Sequence, residues 1–465
     1  MTTDSSIKAQ PRANQLLAEV LKGSVLRTVL AILLAFVVGS LLIIFTNERV
    51  IASAGYFFGR PGDLLSAAAT AVGQAYSALF RGSIYNYNSS TLEGAIRPLT
   101  ETLRFSAPLI AGGLGVALSF RVGMFNIGAQ GQLLVGAGFA AFASYQLHLP
   151  YGIHLIVALL FGFVGAGFWA AIVGLLKAYT GAHEVIVTIM LNYIAISLIT
   201  YLMRTPVLHP PDGSNNPITI APDPSAVLPK ILGDAFDLHL GFVLALVAVA
   251  IYWWLMERST IGFRLRMVGI NPDAARTAGI NVNRVYIIAM IASGLFIGLA
   301  AGNQALGRGG SFTPSIDSGI GFDSITVALL GGSRALGVLG AGLLFGAMKA
   351  GGPAMQAADV APEVLGVVQG LIVLFIAAPP LIRTIFHLPG RPGRGGSPRP
   401  TRKPGAPVMD PLPAVVDDAA VGADAAPTHA ASSTASATSS AGGHGSPGGD
   451  PSGTASGITG EGANR

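Results

Sequence analysis

Amide and carboxylate side chains are scarce in the apolar stretches of this chain, and where they occur they come in groups. Asn126, Gln130 and Gln132 stand with three glycines in FRVGMFNIGAQGQ (120–132), between two apolar runs. Asn192 lies within another run that opens with His183-Glu184, and Asn303-Gln304 lie within a further one. Asp323 and Ser324 follow at the mouth of a short apolar stretch broken by Gly331-Gly332. Amides and hydroxyls in apolar surroundings should face the interior of a helical bundle, where they can line the path of a polar solute. They can equally hydrogen-bond backbone exposed at a helix break, or join neighbouring helices. Asp323 could cap a helix N-terminus or touch a solute or gate. His183 and Glu184 suit a local ion pair or headgroup contact as well as a gate. Chemistry of other kinds lacks its residues. No Gly-x-x-x-x-Gly-Lys-[Ser/Thr] phosphate loop, His-Glu-x-x-His metal pair or Gly-x-Ser-x-Gly nucleophile turn occurs. The chain has no cysteine, which excludes disulfides and Cys-ligated metals. No catalytic set and no metal site is expected.

The elements that must position these residues are membrane helices. Of 465 residues, 51% are hydrophobic and 11% charged, against about a quarter charged in soluble proteins; the mean hydropathy is +0.60. Apolar runs fall near 28–45, 105–120, 130–147, 155–178, 185–203, 239–256, 285–305, 321–333, 335–350 and 363–382. Most are long enough as helix to cross about 30 Å of hydrocarbon. The 321–333 run is too short and reads as part of a discontinuous helix. The expected fold is therefore an all-α polytopic membrane protein with about ten transmembrane helices, some discontinuous. A stretch near 64–80, in the mixed 46–103 region, could lie on the membrane surface. Lys and Arg concentrate in the N-terminal segment 1–24, in 257–284 and after the last span (Arg383, Arg391, Arg394, Arg399, Arg402, Lys403), whereas 204–238 carries four Asp. That bias puts both termini and 257–284 in the cytosol and 204–238 outside. Residues 25–387 form the membrane domain. Residues 388–465, rich in Pro, Gly, Ala and Ser, read as a disordered cytosolic tail whose basic start, 391–403, could meet anionic lipid or dock a partner.

One loop has more order than a tether requires. In ERSTIGFRLRMVGINPDAARTAGINVNR (257–284), Asn271 suits a helix N-cap and Pro272 the first helical position. The run 272–278 allows two turns, stopped by Gly279 as a C-terminal cap. A merely basic loop would satisfy the charge rule without this pattern, so the segment is expected to engage a partner.

At this point the residues resemble a family. GFRLRMVGINPDAARTAGI (262–280), FNIGAQGQ, HEVIVTIMLN and GFDSITVALLGGSRALGVLGAGLLFGAMKAGG, in this order, resemble permease subunits of bacterial ABC importers of the branched-chain amino acid, ribose and nucleoside group. The likeness runs over about 25–385 and is closest to the nucleoside and simple-sugar branch; the tail and the long 46–103 connection depart from the pattern. The resemblance implies a multi-pass permease in the bacterial plasma membrane. A cytosolic ABC ATPase would dock on Gly262, Arg264, Arg266, Gly269, Asn271, Pro272, Ala274, Ala275 and Gly279. The chain itself would bind no cofactor, with ATP and Mg held by that partner. A second permease, a related chain or a second copy, would share the path, and an extracytoplasmic binding protein or lipoprotein would deliver substrate; no nucleic-acid partner is implied. The candidate path residues are Asn126, Gln130, Gln132, Asn192, Asn303, Gln304, Asp323 and Ser324. Ribose or branched-chain amino acids are the alternative substrates, and an ATPase-independent secondary transporter the rival mechanism. FRVGMFNIGAQGQLLVGA and GIGFDSITVALLGGSRALGV also share residue types at similar offsets, as the two halves of an inverted repeat would.

Overall fold

The computed structural model describes residues 24–211, 215–307 and 309–377. The expectations for 1–23, for the end of the last span at 378–382, for the basic run 391–403 and for the tail at 388–465 lie outside these described residues.

Among the described residues the regular elements are helices. In order come α1 (Ser24–Thr46), α2 (Glu48–Ala54), α3 (Pro61–Ser83), α4 (Leu92–Arg121), α5 (Ala129–Gln146), α6 (Ile153–Thr180) and α7 (Glu184–Leu202). After the 203–240 connection follow α8 (Gly241–Arg258), α9 (Thr260–Ile270), α10 (Pro272–Thr277), α11 (Val282–Leu306), α12 (Ile320–Leu330), α13 (Ala335–Gln356) and α14 (Pro362–Ala377). Among the described residues, seven of these (α1, α4, α6, α7, α8, α11 and α13) are long and apolar enough to cross a membrane. Their outer faces are apolar as well: α6 exposes Ile156, Leu160, Val164 and Phe168, and α7 exposes Ile186, Met190 and Ile194. Such faces suit lipid. The protein is a polytopic membrane protein.

Two boundaries depart from the sequence reading. The helix expected at 105–120 begins at Leu92, where the Thr91 hydroxyl accepts from the Gly94 amide at 3.2 Å. Its charges are tolerated because Arg104 donates to Glu101 one turn earlier at 2.6 Å and lies 4.3 Å over the Phe105 ring. The 64–80 stretch, expected on the membrane surface, is packed into the bundle as α3. Ala71, Ala75 and Ala78 are buried, Tyr76 donates to the Phe36 carbonyl of α1 at 2.6 Å, and Gly82 packs against Gly351 and Ala354 of α13.

Small residues set the central crossings. Along α6 and α11, a Cβ at Gly298 would fall 2.7 Å from Phe163 Cα, and one at Gly294 would fall 2.6 Å from the Ala166 carbonyl. Along α4 and α13, a Cβ at Gly346 would fall 2.8 Å from the Thr102 carbonyl. Where lipid supplies no hydrophobic drive, this close approach lets van der Waals packing hold the helices. A second apolar cluster joins α1, α3, α13 and α14.

The two crossings are related. Counting α4–α7 as one unit and α11–α14 as another, the first helix of each packs on the third helix of the other. In each unit a long first helix is followed by an irregular segment and then a helix that starts inside the bundle. The units run in opposite directions, since α4 ends and α11 begins at the end of the bundle where Gly269, Arg121 and Ser333 meet. The arrangement is that of an inverted repeat, with the breaks at 122–128 and 307–319 as the matching features.

Candidate functional site

The first break turns back into the bundle. After Arg121 the chain reverses at Gly123 and runs through buried Met124 and Asn126 to the start of α5 at Ala129. The Ser293 hydroxyl accepts from Asn126 Nδ2 at 3.1 Å and donates to the Gly115 carbonyl at 2.7 Å. Gly115 lies about 9 Å along α4 from Arg121, so α5 begins well inside the bundle. Helix starts and extended chain at such depth leave backbone groups that only protein can satisfy. The amides do this. Asn126 Oδ1 accepts from the Gly128 amide at 2.9 Å and from Gln132 Nε2 at 3.2 Å. Asn192 of α7 accepts from the Gly131 amide at 2.9 Å and donates to the Ile127 carbonyl at 3.0 Å. Gln130 is half-buried, and its backbone lies against Gly321.

The second break enters from the opposite end. Gln304 donates to the Ile316 carbonyl at 2.9 Å, holding the 3-10 turn Pro314–Asp317 against α11. Buried Asp317 accepts from the Gly319 and Gly321 amides at 3.1 and 2.8 Å and so caps α12. The cap expected of Asp323 is thus supplied by Asp317. Asp323 instead pairs with Lys349 of α13 at 2.8 Å, and the same ammonium donates to the Ser318 carbonyl at 2.8 Å. Ser324 is buried and donates to the Ile320 carbonyl at 2.7 Å. Asn303 is buried; its Nδ2 donates to the Leu299 carbonyl, and its Oδ1 has no hydrogen-bond partner among the described residues. The N-termini of α5 and α12 therefore meet, Gly321 on Gln130, with the Asp317 carboxylate capping the α12 end. At the start of α7, Glu184 forms a local ion pair with Lys177 at 2.7 Å.

The 257–284 segment forms two short helices at one end of the bundle. Ser259 caps α9 by accepting from the Gly262 amide at 2.9 Å. Asn271 caps α10, accepting from Asp273 and Ala274 amides at 2.9 and 3.1 Å, and Gly279 follows α10 with φ +79°. The backbone of Ile280 then returns to the Ala275 carbonyl at 3.0 Å, closing the helix end. The predicted residues divide into two groups. Gly262, Gly269 and Ala275 face this chain: a Cβ at Gly262 would meet the Leu255 carbonyl at 2.0 Å, one at Gly269 the Arg121 carbonyl at 2.1 Å, and Ala275 is 0% exposed. Arg264, Asn271, Ala274 and Gly279 face outward, with Pro272 half-buried. Ile270, which the sequence reading passed over, is 79% exposed at the corner between the two helices.

Also passed over was a polar junction behind this segment. Arg121 donates to Glu257 at 2.9 Å and to the Ser333 carbonyl at 3.0 Å, Tyr252 donates to the same carbonyl at 2.9 Å, and Arg266 donates to Glu257 at 2.9 Å. Arg121 and Lys349 were visible as lone basic residues bordering or inside apolar runs. What the sequence hides is their pairing across 136 and 26 positions, respectively. Among the described residues no cluster of His, Cys, Asp and Glu has the makings of a metal site.

Comparison with known proteins gives this arrangement its family. The guanosine ABC transporter permease protein NupP of Bacillus subtilis is 39% identical over 68% of this chain and 88% of its own length. The nucleoside ABC transporter permease protein NupB of Lactococcus lactis is 33% identical over 63% of this chain and 82% of its own. The glucose ABC transporter permease protein TsgB13 of Haloferax volcanii is 34% identical over 60% and 75%. No solved structure matches. The model of the branched-chain amino acid transport system / permease component family matches residues 99–377, from α4 through α14. With seven helices fit to cross a bilayer and both breaks and the 257–284 segment inside that match, the chain is a multi-pass plasma-membrane protein that belongs to the ABC transporter permeases of the branched-chain amino acid transport system / permease component family.

Proposed function

We propose that this chain is the membrane-spanning subunit of an ABC importer for nucleosides or related simple sugars, and that it carries no catalytic step of its own. ATP and Mg are held and ATP is hydrolysed by a separate cytosolic ATPase docked on α9 and α10. The likeness to a guanosine permease over 88% of that protein's length carries the substrate reading. The polar groups near the breaks suit it: Asn, Gln and a neutralised Lys349–Asp323 pair offer hydrogen bonds without net charge, as an uncharged, hydroxyl-bearing solute requires. The docking surface is the outward face of the segment: Ile270, Arg264, Asn271 and Ala274, while Gly262, Gly269 and Ala275 hold that face in position. A second permease, a related chain, completes the path, and an extracytoplasmic binding protein or lipoprotein delivers substrate to the end carrying the 203–240 connection.

Uptake of labelled guanosine, ribose and leucine, with and without this chain, tests the substrate. Selective loss of guanosine uptake is the expected result; selective loss of leucine uptake would overturn the nucleoside reading and leave the permease standing. Docking is tested separately with Ile270→Glu, a change on the surface that leaves the fold alone. Burying that carboxylate in an interface should cost about 2 kcal/mol, a roughly thirty-fold weaker complex, seen as loss of the ATPase on purification in mild detergent.

A further inference from the structure

We propose that Arg121 is the positioning residue that links movement of the α9–α10 segment to the α12–α13 half of the bundle. The inference rests on the reading of that segment as the ATPase docking surface. Arg121 ends α4, and α9 reaches it once directly and once through Glu257 of α8. Gly269 is seated on its carbonyl so closely that a Cβ would come within 2.1 Å, and Arg266 reaches its guanidinium through Glu257, which accepts 2.9 Å bonds from both arginines. On its other side the guanidinium donates to the Ser333 carbonyl at 3.0 Å. Ser333 lies at φ +52° in the turn that joins α12 to α13, and Tyr252 of α8 donates to the same carbonyl at 2.9 Å. A displacement of α9 is thereby delivered to the near end of α12, the helix whose far end meets α5 at Gln130.

The chemistry calls for arginine. Two donors fixed in one plane hold Glu257 and the Ser333 carbonyl at a set separation; a lysine ammonium is a single point on a flexible stem and does not keep both in register. The ion pairs to Glu257, which is 41% exposed, contribute little to folding, whereas the bonds to the Ser333 carbonyl fix the turn between α12 and α13. A link of this kind makes differential contact in two states, which is what coupling between sites requires.

The test uses the complete transporter in proteoliposomes, with ATP hydrolysis and labelled guanosine uptake measured side by side. Arg121→Lys and Arg121→Gln should retain the ATPase at the wild-type ratio and keep its hydrolysis within a factor of about two, while guanosine moved per ATP falls about tenfold. Tyr252→Phe, which keeps Arg121 and removes the second donor to Ser333, should give a smaller loss of the same kind. Uptake per ATP unchanged in Arg121→Lys and Arg121→Gln would overturn the inference, as would loss of hydrolysis and uptake in equal proportion. If Arg121→Gln does not accumulate, Tyr252→Phe decides: unchanged uptake per ATP there overturns the inference. Failure of the docking reading shows elsewhere: Ile270→Glu would then retain the ATPase. That result removes the basis of the link whatever Arg121 does.

Discussion

At the scale of single residues, the amides divide between two tasks that look identical in sequence. An Asn in an apolar run is costly unless paired, so its presence marks a special place. Whether it pairs with a solute or with broken backbone depends on depth and neighbours. Asn126 and Asn192 face the backbone of 127–131, with three bonds to groups that would otherwise be unpaired in the membrane interior. Asn192→Leu should therefore destabilise the bundle by about 2 kcal/mol, the cost of leaving the Gly131 amide and Ile127 carbonyl buried and unpaired. Asn192→Asp keeps the acceptor for Gly131 and loses the donor to Ile127. Thermal unfolding in detergent measures both, and Asn192→Leu matching the wild type would end the backbone assignment. Asn126, Gln132, Asn192, Asn303, Asp323 and Ser324 were legible as unusual residues. Asp317, which caps α12, was not, and Lys349 stood out only as a lone base without its partner. Their partners come from the αL turn at Ser318-Gly319 and from a separate helix, neither of which a spacing rule sees.

At the scale of elements, the sequence located helices by hydropathy and misjudged those whose charge is neutralised locally. The extra turns of α4 before residue 105 were hidden by Glu101 and Arg104, which cancel one another one turn apart. The caps of α10 were legible because capping is a local, short-range code in Asn271, Pro272 and Gly279. The 203–240 connection shows what such a code leaves out. Lys230 and His239 form an isolated antiparallel bridge, Lys230 pairs with Asp237 at 2.9 Å, and the Gly241 amide donates to His239 Nδ1 at 3.2 Å. Burial pushes the His239 imidazole down from 6.5 to about 4, and the Lys230 hydrogen bond holds the Asp237 carboxyl below its usual range. The signs separate the two groups. The opened connection binds a proton on His239 more readily than the closed one, so closure is fully favoured above about pH 6.5 and weakens as pH falls towards 4. Asp237, with its pKa lowered, withdraws its contribution only at still lower pH. At pH 5 the His239 cost is about 2 kcal/mol. The protection factor for hydrogen exchange at 238–242, taken against the intrinsic amide rate at each pH, should thus fall roughly 25-fold between pH 7 and pH 5. His239→Gln, which offers an acceptor that does not titrate, should abolish that fall; an equal fall in the variant would assign it to another group.

At the scale of the whole molecule, the inverted relation between α4–α7 and α11–α14 bears on where a solute can pass. The faint likeness of 120–137 to 319–338 anticipated two oppositely directed units, but it could not show that each unit lends its third helix to the other's first. That exchange fills the centre of the described bundle with glycine-mediated contacts, at Gly294 and Gly298 on one side and Gly342 and Gly346 on the other. A solute as large as a nucleoside would have to force those helices apart. The cavity of about 1340 Å³ at the Arg121 end lies between α8 and α12–α14 rather than along the centre. The half-buried groups near the breaks, Gln130 and the Lys349–Asp323 pair, instead keep part of their surface open, where a second permease can close the other wall of a path. Whether that wall is a copy or a related chain is decided by expressing tagged and untagged forms of this chain together with the related permease and recovering the complex by the tag. The expected complex holds one tagged chain and the related permease, with no untagged copy, by native mass spectrometry. Untagged copies at equal ratio would show a homodimer, and the path would then be lined twice by the same Gln130 and Lys349–Asp323 groups, requiring a substrate that two identical walls can share.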